Sequence, residues 1–219
     1  MRDLPFAPLY ANLEADRMNP TMKTPLLFSC CAAFAFFASP GHSEETLRPL
    51  FNGKDFTGWK VPEQSECWTI EDGVLHVRNN EAKAGSTLWT EADFTDFAIE
   101  LDFKFISGTV DSGVFLRCDD QIQIGISGSL KRDLTASPYI PKKGYPAEAT
   151  GVADLLKAND WNHLRIEARG LVYTVFLNDA KVLTYTSETG KPSGPIGLQL
   201  HSKNEMAIDF REIKVGDLK

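Results

Sequence analysis

No run of Lys or Arg in the 219-residue chain is longer than two, and 23 basic side chains face 30 acidic ones for a formal net charge of −7. Polynucleotide binding draws on clustered cations to neutralise phosphates, so this balance excludes it; the pairs Lys131-Arg132 and Lys142-Lys143 are too short to alter that. Cysteine is scarce, with four residues in all. Cys30 and Cys31 sit in an N-terminal apolar stretch, while Cys67 and Cys118 have neither a Cys-x-x-Cys nor a Cys/His spacing, so no structural zinc is expected. Those two thiols form one disulfide in an oxidising compartment or stay buried and free; the sequence leaves both open. Internal repeats and low-complexity tracts are absent, which weakens a structural or adhesive role. The longest apolar run, residues 26–38, falls short of a bilayer span.

That run carries the targeting signal. Met22-Lys23 supplies a positive start, the apolar stretch follows, and the small residues Gly41 and Ser43 mark a cleavage point. Residues 22–43 therefore read as a secretory signal peptide and residues 1–21 as an upstream extension, with Met22 the expected true start. A lipoprotein box at Leu27-Phe28-Ser29-Cys30 is the weaker alternative, because the apolar stretch before Cys30 is short. The expected product is an exported protein, periplasmic or extracellular, with one domain over residues 44–219. No membrane span is expected, and the oligomeric state is not legible.

What is abundant is period-two alternation. Over residues 97–105, Phe97, Ile99, Leu101, Phe103 and Phe105 point one way and Glu100, Asp102 and Lys104 the other, as in a half-buried strand. Turn residues at 107–113 lead to a short strand at 114–117 and another at 121–127, the latter with Gln121 and Gln123 outward. If these three strands are neighbours, Glu100, Asp102, Lys104, Arg117, Gln121 and Gln123 share one exposed face, the first candidate site. Further alternating strands are expected at 68–77, with an Asp72-Gly73 hairpin, and at 87–90, 162–168, 171–177, 181–185, 196–201 and 206–215. Only residues 152–158 suggest a helix. The expected fold is all-β: a two-sheet antiparallel sandwich of the jelly-roll kind. Residues 128–160, rich in Pro and Gly and carrying Tyr139 and Tyr145, read as a flap beside a cleft.

Several side chains suit work on a sugar. His201 lies on the outward register of its strand with Gln199, and a neutral imidazole suits a general base. Gln123, Gln199, Gln121 and Glu100 are suited to hydroxyl groups, Tyr139 to the flap side, and Trp89 to stacking on a pyranose. The strand Glu100-Leu101-Asp102-Phe103-Lys104 invites comparison with retaining β-glucanases of the laminarinase type, which place three acids at alternate positions. Retaining hydrolysis needs two carboxyls about 5–5.5 Å apart. Lys104 takes the third position here, which disfavours that route, and a solvated face of cross-strand ion pairs is the plain alternative.

Taken in order, Leu50-Phe51-Asn52-Gly53-Lys54-Asp55-Phe56-Thr57-Gly58-Trp59, Asp111-Ser112-Gly113-Val114-Phe115-Leu116-Arg117, Gln121-Ile122-Gln123-Ile124 and Gly194-Pro195-Ile196-Gly197-Leu198-Gln199-Leu200-His201 resemble the 3-keto-disaccharide hydrolase domain family. The resemblance spans residues 50–218. It implies a concanavalin/laminarinase-like jelly roll, export, and action on a small carbohydrate already oxidised to a ketone at C3. Three departures stand out: Asp111 replaces the family's usual Asn, Gln121 its usual Glu, and Ser137-Pro138 its usual Gly-Ser. On this reading His201 is the base, Arg117 with Lys104 meets the developing enolate oxygen, and Asp102 or Glu100 sets the charge state of the base. No cofactor is expected; a divalent metal on His201 and a neighbouring acid is compatible with the sequence, though no ligand spacing demands it. The rival reading is a non-catalytic carbohydrate-binding module.

Overall fold

In the computed structural model, which describes residues 46–62 and 64–219, the alternation at 97–105 becomes one face of a two-layered β-sandwich. The extension and leader at residues 1–43 lie outside the described residues. In chain order the strands are β1 (Arg48–Pro49), β2 (Trp59–Lys60), β3 (Trp68–Glu71), β4 (Val74–Arg78), β5 (Ser86–Phe94), β6 (Phe97–Gly108) and β7 (Asp111–Leu116). They continue as β8 (Asp120–Gly125), β9 (Pro138–Tyr139), β10 (Asn162–Arg169), β11 (Val172–Leu177), β12 (Ala180–Thr186), β13 (Gly194–Leu200) and β14 (Met206–Asp217), with a 3-10 turn at Ser65–Cys67 before β3 and an α-helical turn, α1 (Val152–Leu155), before β10. Among the described residues, no helix is long and apolar enough to cross a membrane.

An eight-stranded sheet runs β12-β11-β10-β6-β14-β4-β3 with β1 added on β14, and a six-stranded sheet runs β2-β5-β13-β7-β8-β9. All pairings are antiparallel. The core lies between the sheets. Phe97, Ile99, Leu101 and Phe103 of β6 and Leu164 and Ile166 of β10 meet Val114, Leu116, Ile122, Ile124, Ile196, Leu198 and Leu200 from the other layer, all buried. Burial of that apolar area is the main term holding the layers together. The N-terminal segment pins itself to this core: Trp59 Nε1 donates to the Leu50 carbonyl at 3.0 Å, and Leu50 N donates to the Ile213 carbonyl at 2.9 Å. Asp72 and Gly73 both take positive φ at the β3–β4 hairpin, as a tight two-residue turn requires. Cys67 and Cys118 are free thiols.

One expectation about neighbours fails. The strand β6 belongs to the eight-stranded sheet, whereas β7 and β8 belong to the six-stranded one, so Glu100, Asp102 and Lys104 share no face with Gln121 and Gln123. The cause lies in the connection. Gly108 takes φ +73, a Cβ there would fall 1.9 Å from the Glu205 carbonyl oxygen, and Val110 is buried. The chain crosses between layers at that glycine instead of folding back on its own sheet. Period two fixes which side chains share a face of one strand, and says nothing of which sheet the next strand joins.

Candidate functional site

Outward-pointing residues of the six-stranded sheet converge at one end on a cleft of about 570 Å³. The strand β7 contributes Asp111, β8 contributes Gln121 and Gln123, and β13 contributes Gln199, with His201 just past its end. Ser127, Gly128, Ser129 and Lys131 line another side of it, with Tyr139, Tyr145 and Asn204. Gly113 makes room for this arrangement, since a Cβ there would sit 2.2 Å from Gln121 Nε2. Gln121 is thus free to lie over β7 and donate from Nε2 to Gln199 Oε1 at 2.7 Å. In that pairing Gln199 retains its amide hydrogens and Gln121 its carbonyl oxygen for hydroxyl groups.

At the closed end of the cleft the buried Asp111 carboxylate accepts from Gln123 Nε2 at 2.9 Å and from Gly128 N at 2.8 Å. These donors compensate the burial of its charge. The His201 side chain is 41% exposed, and its Nδ1 lies 2.7 Å from the Ser202 carbonyl oxygen. A carbonyl only accepts, so Nδ1 carries the hydrogen and Nε2 of the neutral ring holds the lone pair. That Nε2 stands 3.9 Å from Asp111 Oδ2. The gap is too long for a hydrogen bond, so the lone pair remains available. The Asn204 Nδ2 donor is buried and has no hydrogen-bond partner.

Tyr139 and Tyr145 meet edge to face at 5.3 Å between ring centroids. Burial pushes the Tyr145 phenol up, with a hydrogen bond from Ser127 opposing it, so it remains a neutral donor at ordinary pH. The flap that carries them is tied to itself by polar contacts. Ala149 N donates to Ser137 Oγ at 3.0 Å, and Arg132 holds Glu148 by both guanidinium NH2 groups. Among the described residues no three His, Cys, Asp or Glu side chains converge as ligands for a metal ion; the cleft brings together one such pair, His201 and Asp111.

Of the residues singled out from sequence, His201, Gln199, Gln121, Gln123 and Tyr139 line this cleft. Arg117 does not. It follows the opposite end of β7 from Asp111, six residues and about 20 Å away by strand rise. Its φ of +55 breaks the alternation and turns the side chain inward, where it is 0% exposed. There it donates to the carbonyls of Thr95, Ala168, Gly170 and Lys191. Lys104, Asp102 and Glu100 lie on the outer face of the other sheet. Asp102 pairs with His163 Nδ1 and Arg211 Nε, both at 3.1 Å, Glu100 pairs with Arg165, and Lys104 stands across from Asp209. These are the cross-strand ion pairs of a solvated face. Trp89 is on the correct outer face yet not on the cleft wall. Tyr145 was named only as part of the flap and Asp111 only as a departure from the family pattern, while Lys131 and Asn204 were not proposed for the site. For Asp111 the signal was present: it lies in phase with Gly113 and opens the strand that carries the Asp111-Ser112-Gly113 motif.

Comparison with protein families matches residues 46–216 to the model of the 3-keto-alpha-glucoside-1,2-lyase-like domain, the 3-keto-disaccharide hydrolase domain family. The chain belongs to that family. Comparison with curated protein sequences returned no match. Among solved structures, a candidate glycosyl hydrolase from Parabacteroides distasonis ATCC 8503 is similar at TM-score 0.57 and 25% identity, covering 80% of this chain and 100% of that one. A second candidate glycosyl hydrolase from the same organism gives TM-score 0.57 at 19% identity, covering 79% and 94%. Carbohydrate-binding module CBM66 from Bacillus subtilis gives 0.53 at 17%, covering 73% and 96%, a likeness of fold. The family match, with the 25%-identical structure beside it, supports a carbohydrate-related, glycosidase-like domain.

Proposed function

We propose that the cleft cleaves 3-keto-glycosides, 3-keto-disaccharides among them, by elimination and hydration. A ketone at C3 acidifies the C2 proton and places the C1 substituent β to the carbonyl. His201 Nε2 takes the C2 proton, and the electron pair moves into the C2–C3 enolate. The enolate collapses, the C1–O bond breaks, and the aglycone leaves with a proton. Water then adds its oxygen to C1 of the resulting enone while C2 regains a proton. This chemistry asks for one base and one enolate stabiliser, not two facing carboxylates.

The observation that carries the reading is the His201 ring, whose Nδ1 is fixed on the Ser202 carbonyl and whose Nε2 lies within 3.9 Å of the buried Asp111, in a cleft of a domain of this family. Asp111 supports the imidazolium formed by proton uptake. The unpartnered Asn204 amide and the Lys131 ammonium on the cleft wall replace Arg117 and Lys104 as donors to the enolate oxygen. Gln121, Gln123 and Gln199 orient the ring hydroxyls, and Tyr139 with Tyr145 closes over the oxidised ring. The leader read in residues 22–43 places the reaction outside the cytoplasm in this proposal.

The test is turnover of 3-keto-trehalose or 3-keto-sucrose by the unaltered protein and by His201→Ala. The variant is expected to lose activity by roughly 10²-fold or more, in line with the usual contribution of a general base. Full retained turnover removes His201 from the chemistry. One observation favours the rival, a sugar-binding sandwich without turnover: the cleft's single buried carboxylate already receives two hydrogen bonds. A binding module holds native glycans and leaves the ketone intact, so the same assay separates the two.

A further inference from the structure

The outer face that forms the cleft continues along the same strands into a second feature. Antiparallel register places Trp89 of β5 across from Gly197 of β13, Gly197 across from Phe115 of β7, Phe115 across from Gln121 of β8, and Gln121 across from Tyr139 of β9. In this row Trp89 and Phe115 stand 5.2 Å apart between ring centroids at an interplanar angle of 33°. They meet over Gly197 because it has no side chain: a Cβ there would lie 2.6 Å from Cε3 and Cζ3 of Trp89. The glycine therefore lets the indole lie down on the sheet.

Packing does not account for these two rings. The core is on the opposite face of the sheet, and both rings are half-buried, whereas Trp59 and Trp68 are buried. Trp59 and Trp68 also spend their indole N–H groups on Leu50 O and Ser86 Oγ. Among the described residues, no hydrogen bond engages the indole N–H of Trp89. Buried indoles find an acceptor; a half-buried one without a partner has a flat apolar face and a donor to offer a ligand. Four residues of strand, about 13 Å, separate Gly197 and Phe115 of this row from His201 and Asp111, and the Gln121 amide reaches from the row toward that end to meet Gln199. A single hexose does not cover that distance, and a glycoside with a second ring does.

We propose that the Trp89–Phe115 pair is the subsite for the group released from C1, and that it selects leaving groups with a flat or ring-shaped face, a second pyranose or an aryl ring. This assignment rests on the proposed cleavage of 3-keto-glycosides and names its specificity. Stacking supplies binding energy remote from the reacting carbon, so its loss appears with ring aglycones and not with small ones.

The experiment compares methyl 3-keto-glucoside, an aryl 3-keto-glucoside and 3-keto-trehalose as substrates for the unaltered protein, Trp89→Ala and Gly197→Ala. Removing the indole, or displacing it with a Cβ at residue 197, is expected to lower kcat/KM at least tenfold for ring aglycones and less than twofold for the methyl glycoside. Loss on the aryl substrate alone assigns the shelf to aryl groups; loss on both assigns it to ring faces in general. Unchanged selectivity in Gly197→Ala, with its thermal melt intact, overturns the assignment, as does an equal loss on all three substrates. Failure of the unaltered protein to cleave any of the three overturns the hydrolase reading itself, which the wild-type rates alone reveal.

Discussion

At the residue scale the cleft is distinguished by where its one carboxylate sits. The family resemblance leads to Asn at position 111 and Glu at position 121, and this chain carries Asp111 and Gln121. Both positions line the cleft, so the exchange leaves it with an acid among carboxamides in either arrangement. Asp111 acts through His201 and does not fix the tautomer, because the Ser202 carbonyl already does. Asp111→Asn is therefore expected to lower kcat roughly tenfold, less than loss of the base itself. Adding Gln121→Glu is expected to restore part of the rate, with steady-state kinetics on one 3-keto-disaccharide as the measurement. A double variant slower than the single one contradicts the charge-exchange argument. Alternation showed that Gln199 and His201 share a face, and that Gln121 and Gln123 do. It could not show Asn204, whose role depends on a missing partner rather than on any pattern.

Among the elements, the three-residue turn between β7 and β8 separates what the sequence suggested from what the fold built. Arg117 continues the outward register of Phe115 on paper. In the protein, positive φ at Arg117 and Cys118 ends the strand and sends the guanidinium under the sheet. It binds carbonyls from the β5–β6 turn, the end of β10, the β10–β11 turn and the loop before β13, and lies 5.6 Å from the Phe97 ring centroid. Truncation removes a fully buried side chain together with its four carbonyl contacts, one of them to the buried Ala168. Arg117→Ala is thus expected to cost about 3 kcal/mol or more in chemical denaturation while the folded fraction keeps its kcat. Loss of kcat without loss of stability places Arg117 in the chemistry after all. The strands themselves were legible, because each buries one face. The crossover at Gly108 was not, because its cause is close approach to Glu205, distant in sequence.

For the whole molecule, the two layers are joined by buried polar contacts as well as by apolar packing. Tyr173 of the eight-stranded sheet donates its hydroxyl hydrogen to Asp120 Oδ2 of the six-stranded sheet at 2.7 Å. Burial, followed by the hydrogen bond to Asp120 and its charge, raises the Tyr173 phenol above its ordinary value of 10.0. The native state holds that proton more tightly than the unfolded chain. The contribution to stability is accordingly complete below the unfolded value of 10.0 and is lost as pH rises through the folded one. Thermal melts from about pH 8 to about pH 11 should fall at the alkaline end, and Tyr173→Phe should flatten that fall while starting from a lower melting temperature. An identical slope in the variant removes Tyr173 as the cause. The function of the assembled sandwich rests on proton removal from C2, and the direct test is to run the cleavage in D2O and read the released 3-keto-sugar at its first turnovers, with free product incubated as the exchange control. Elimination and hydration predict one deuteron at C2 from the outset; product that keeps its original C2 hydrogen contradicts the account.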